Sequence, residues 1–133
     1  MTASGRSEPV FDVSVIDRLV ELFGDRASAR QLIEIFLQES PQLADSVAQG
    51  LADGDAEASR MAAHSLKSSA ASVGALRLSA VSAGIEGALR SGEIGAARGE
   101  LTQLQAELDQ ALDALAAEVI RLADAPTEAN APE

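Results

Sequence analysis

The chain has 133 residues, 47% of them hydrophobic but only 2% aromatic, and carries a formal net charge of −11 with no cysteine. That length supports one domain able to bury a core unaided, and the lack of Cys excludes a disulfide framework and thiolate metal sites. The acidic balance argues against nucleic acid, because phosphate contacts need clustered Lys and Arg, and the ten present are scattered. No apolar run approaches the roughly 20 residues of a membrane span, and the N-terminus lacks a basic region followed by an apolar one. No membrane partner and a soluble cytoplasmic protein are therefore expected.

Residues 1–11 mix Ser, Gly, Glu and Pro and read as a flexible tail. Apolar residues then recur at helical spacing: Ile16, Leu19, Val20 and Phe23; Leu32, Ile35, Phe36, Leu43 and Val47; Leu78, Val81, Ile85 and Leu89; and Leu101, Leu104, Leu108, Leu112, Leu115, Val119 and Leu122. Between these runs stand Gly24-Asp25, Gly50, Asp53-Gly54-Asp55, Gly74 and Ser91-Gly92, which supply stop glycines and capping side chains. The spacing predicts helices over about 13–23, 26–49, 55–73, 76–90 and 94–122. Pro41 lacks a backbone donor and is expected to kink the second of them near 37–41. Residues 124–133, DAPTEANAPE, read as a flexible acidic tail, leaving 12–123 as the domain. Short loops make consecutive helices antiparallel, so the expectation is an all-α antiparallel four-helix bundle with a short additional N-terminal helix. The last helix closing that bundle uses its leucine seam within a monomer, more simply than a coiled coil would.

The single His, His64, and the single Lys, Lys67, stand three residues apart in the third predicted helix. At about 100° per residue, Glu57, Arg60, Lys67, Ser68 and Ala71 fall within about 60° of His64, and Ala62, Leu66, Ser69 and Val73 fall near the opposite side. The imidazole therefore faces water, beside two cations and two small residues. A lone surface His and an ordinary solvated Lys are the plain alternative. A hydrolase would need His64 as base for Ser65 or Ser68, and Ser65 points about 100° away. A metal site is poorer still, because Glu57 and Glu86 could only supplement one His ligand and read better as a solvated acidic face. The chain also lacks a GxxxxGK[ST] loop, so autophosphorylation from ATP is not expected.

Ala63-His64-Ser65-Leu66-Lys67, Gly74-Ala75 ten residues after the His, Leu78 and Ile85-Glu86 together resemble the histidine phosphotransfer (HPt) domain. The likeness extends to Phe36-Leu37, Pro41-Gln42-Leu43 and Gly54-Asp55, covering roughly residues 15–120. It implies a four-helix bundle that displays His64 as the phosphoryl acceptor, Lys67 beside the phosphoryl group, Gly74 in helix geometry and Glu86 in a structural role. It also implies docking of receiver domains, from a hybrid histidine kinase or a response regulator, over Arg60, Ser68 and Ala71. Ser68 stands where the family usually has Gly, whose missing side chain lets a partner approach closely. Neutral imidazole is a competent nucleophile near neutral pH, and phosphoryl transfer is mostly positioning and charge neutralisation. No cofactor is expected in this chain, with Mg expected in the receiver. The competing reading is an acidic helical bundle that binds or inhibits a signalling partner, with His64 incidental.

Overall fold

The computed structural model describes residues 8–124, in the order α1 (Val13–Phe23), α2 (Arg26–Asp53), α3 (Ala56–Ser72), α4 (Leu76–Arg90), α5 (Ile94–Gly99) and α6 (Leu101–Asp124). Local chemistry explains the punctuation. Asp12, Asp25 and Asp55 cap the first three helices, each carboxylate accepting from a first-turn backbone N–H: Ser14 at 3.0 Å, Ser28 at 2.6 Å and Ala58 at 3.0 Å. Gly24 and Gly54 stop α1 and α2 at φ +83° and +73°, the left-handed conformation that glycine adopts at least cost.

Four long helices form the bundle. α3 packs between α2 and α4, and α6 closes the ring against both. Its core is the aliphatic set expected from a chain almost without aromatics, with Ile33, Phe36, Val47, Leu51, Leu66, Leu78, Val81, Ile85, Leu104, Leu108 and Leu115 all buried. The face that α3 turns inward is Ser59, Ala62, Ala63, Leu66 and Ala70. Those small residues let its neighbours come close, and α2 does so at Gly50, where an added Cβ would stand 2.8 Å from that of Ser59. The Ser59 hydroxyl donates to the Val47 carbonyl at 2.8 Å, tying α3 to α2. No helix among the described residues is long and apolar enough to cross a membrane.

Three boundaries differ from the sequence expectation. Gly50 is a close-packing residue inside α2, which continues to its left-handed stop at Gly54. The predicted helix over 94–122 is two helices, α5 and α6, separated at Glu100, whose N–H bonds back to Ala97 at 3.0 Å. Residues 8–11, assigned to the N-terminal tail, lie against the bundle: Phe11 packs on the core, and the Glu8 carbonyl accepts from Arg77 Nε at 2.8 Å. The rest of that tail, residues 1–7, and the C-terminal tail beyond residue 124 lie outside the described residues. α2 runs on as one helix through Pro41.

Candidate functional site

α3 and α4 between them build one polar cluster, and the helix register that buries Leu66 is what exposes His64, whose side chain is 53% accessible. Two contacts hold the pair in register. The Ser79 hydroxyl of α4 donates to the Lys67 carbonyl at 2.9 Å. The turn between the helices passes through Gly74 at φ +81°, and a Cβ there would meet the Asp12 carbonyl oxygen at 2.7 Å. Gly74 is thus required both for its backbone angle and for the close approach of the segment that leads into α1.

Opposite His64, α4 presents Glu86, a residue only 3% exposed. Its carboxylate collects three side chains: His64 Nδ1 at 2.8 Å from Oε2, Lys67 Nζ at 2.7 Å from Oε1, and Arg90 Nη2 at 2.9 Å from Oε2. The Lys67 hydrogen bond, assisted by those from His64 and by the charge of Arg90, holds the Glu86 carboxyl below its usual range against the opposing effect of burial. An ionised carboxylate only accepts, so Nδ1 of His64 must carry the proton and the neutral ring keeps its lone pair on Nε2. This is a fixed tautomer with a free nucleophilic nitrogen, and a buried anion behind it to balance any positive charge the ring acquires.

Ser68 and Ala71 are exposed on the His64 side of α3, as their spacing predicts, and Lys67 leans toward α4. Arg60 is otherwise engaged. Its guanidinium is held by Glu57 through Nε at 3.1 Å and Nη2 at 2.6 Å, a contact that raises the arginine pKa and lowers that of Glu57. The sequence reading placed Glu86 on a solvated acidic face in a structural role, and burial against His64 corrects that. Glu86 and Arg90 both went unrecognised as partners of the histidine. Their spacing of four residues on one helix was a visible sign that they pair, but nothing in the chain shows that Glu86 meets a residue 22 positions earlier. Among the described residues no group of three His, Cys, Asp or Glu side chains converges as metal ligands.

The family model for the Hpt domain matches residues 31–118. Among solved structures, the chain is similar to the crystal structure of histidine-containing phosphotransfer protein B (HptB) from Pseudomonas aeruginosa PAO1, at a TM-score of 0.79 and 27% sequence identity over 86% of this chain and 97% of that one. No curated protein sequence matches.

Proposed function

The chain belongs to the Hpt domain family and has a histidine phosphotransfer role, and on that premise we propose that it is a cytoplasmic phosphorelay intermediate whose acceptor is His64. The single observation that carries this reading is the 2.8 Å contact between His64 Nδ1 and the buried Glu86 carboxylate, which leaves Nε2 as the nucleophile on an exposed helix face.

In the proposed step, the Nε2 lone pair attacks the phosphorus of a receiver's aspartyl phosphate. A P–N bond forms, the P–O bond to the aspartate breaks, and the aspartate leaves as a carboxylate. The ring becomes formally cationic with its proton still on Nδ1, and Glu86 stabilises that charge at hydrogen-bond distance. Lys67 stands beside the incoming dianion, and the return step runs the same bonds in reverse onto a second receiver. Since transfer of this kind rests on positioning and charge, the chain's own share needs no cofactor, and the divalent cation is supplied with the receiver. Ser68 and Ala71 lie where a docking partner would pass, so bulk at Ser68 should obstruct it.

Incubation with a phosphorylated receiver domain tests the proposal. The parent should acquire an acid-labile label, and His64→Gln should acquire none while staying folded and melting close to the parent, because a Gln amide on this half-exposed position can still donate to Glu86, which keeps Lys67 and Arg90 as partners. Label retained by His64→Gln, or a stably bound receiver that transfers nothing to the parent, would leave only a binding module.

A further inference from the structure

We propose that a water molecule is bound between α2 and α3, held by the Ser40 hydroxyl and by serine oxygens of α3, and that it ties the histidine-bearing helix to α2. Among the described residues three serines are buried completely, Ser40, Ser59 and Ser82. Two of them are paired. The Ser59 hydroxyl donates to the Val47 carbonyl across the helix interface, and that of Ser82 donates to the Leu78 carbonyl one turn back on its own helix, each at 2.8 Å. Ser40 Oγ has no hydrogen-bond partner among the described residues. It leaves unused the carbonyl of Phe36, which stands one turn back on α2 as Leu78 does for Ser82.

Packing does not account for this hydroxyl. Ser40 belongs to the row Ile33, Phe36, Ser40, Ala44 and Val47 that α2 turns to the core, where alanine would serve without a polar atom. A buried hydroxyl left unpaired lowers stability, so one in that row calls for a partner beyond the chain's own groups. The space for it is present. Ser40 lines a cavity of about 50 Å³ between α2 and α3, and a water needs roughly 10–15 Å³ and two to four polar partners. Leu32, Phe36 and Val73 form apolar walls, while Ser69 and Ser72 of α3 complete the polar side. The Ser69 hydroxyl can donate or accept, and that of Ser72, which donates to the Ser69 carbonyl at 2.7 Å, keeps its lone pairs. An apolar guest would suit the walls but leave Ser40 unpaired. The water therefore complements the direct bond at the other end of the interface: Ser59 ties α3 to α2 five residues before His64, and the water ties it around Ser69, five residues after. This concerns how α3 is seated and holds apart from the transfer chemistry.

Crystal structures of the parent and of Ser40→Ala, with and without xenon pressure, test the inference together with urea unfolding. The parent should show a water at hydrogen-bond distance from Ser40 Oγ and from an oxygen of Ser69 or Ser72, and should take no xenon there; Ser40→Ala should lose that water. Alanine favours a helix more than serine does, so Ser46→Ala, at an exposed position of α2, supplies the reference. Relative to that variant, Ser40→Ala should raise the unfolding equilibrium constant about threefold to tenfold, the effect of one lost hydrogen bond. Xenon in the parent cavity overturns the inference, because apolar dry cavities take xenon. A parent in which Ser40 Oγ is unpaired, or in which its water bonds to α2 alone, overturns it as well. So does an unfolding constant for Ser40→Ala no larger than that for Ser46→Ala, since removing an unpaired hydroxyl costs nothing.

Discussion

Glu86 and Glu107 are the two carboxylates buried among the described residues, each 3% exposed, and their surroundings differ sharply. Glu86, on α4, has both oxygens engaged by His64, Lys67 and Arg90, all of which open onto solvent. Glu107, on α6, accepts from Gln103 Nε2 at 2.6 Å, has Arg77 only at 4.0 Å, and keeps one buried oxygen with no hydrogen-bond partner among the described residues. Removing a charge from water costs several kcal/mol unless it is paired and bonded, so the first carboxylate is well compensated and the second is held at the edge of tolerance. The difference teaches what each is for. Glu86 sits beneath the exposed imidazole proposed as the acceptor and fixes its ring, whereas Glu107 joins α6 to α4 through Arg77, away from that histidine.

The sharpest way to break this contrast is to remove each carboxylate and measure acceptance from a phosphorylated receiver. Glu86→Ala should slow acceptance roughly tenfold to a hundredfold, the kinetic equivalent of one charge-assisted hydrogen bond to the reacting ring. Glu107→Gln should leave the rate unchanged. Comparable losses in the two variants would mean that Glu86 acts only through the fold. Lys67→Ala should come next, slowing transfer about threefold to tenfold and reducing its sensitivity to salt, with unchanged kinetics at all ionic strengths counting against a role beside the phosphoryl group.

Stability should rank the pair the other way. Glu107→Gln relieves a buried charge of which one oxygen is unbonded, and should raise stability by about 1 kcal/mol in urea unfolding, whereas a clear loss would show that Arg77 supplies a stronger partner than its 4.0 Å separation indicates. The smallest effect is the pH dependence of Glu86. Its folded pKa lies below the usual 4.5, so the stability it contributes is fully present above that value and is lost as pH falls through the depressed folded value. With His64 replaced by Gln in both proteins, so that no imidazole titrates beside the carboxylate, the stability difference between Glu86 and its Gln variant should therefore be constant from pH 7 to about 5 and shrink below about 4.5. A difference that grows on acidification would reverse the sign assigned to the Glu86 cluster.

Much of this was legible in the chain. Helical spacing and Asp or Gly punctuation place every long helix, because the signals for starting and stopping a helix are local. The face of His64 follows from the same periodicity, which sets it away from Ala62, Leu66 and Val73 on the core side, with Ser69 half-buried beside them. Gly50 misled for a physical reason: a glycine that ends a helix and one that admits a neighbouring backbone look alike until the contact with Ser59 is known. Gly99, just ahead of Glu100, was a sign of the break between α5 and α6 that the leucine seam outweighed. Glu86 could not be placed from spacing at all. Its partners on α3 are fixed by the pairing of two helices, and pairing register is a tertiary property.

Which nitrogen of His64 is free decides whether Glu86 acts on the ring as proposed. An imidazole proton–nitrogen correlation spectrum of the phosphorylated protein, with nitrogen-15 label and phosphorus coupling, reads this directly. The prediction is phosphorus bonded to Nε2, with the remaining ring proton on Nδ1 and its signal altered by Glu86→Gln. Phosphorus on Nδ1, or a ring proton indifferent to Glu86, would contradict it.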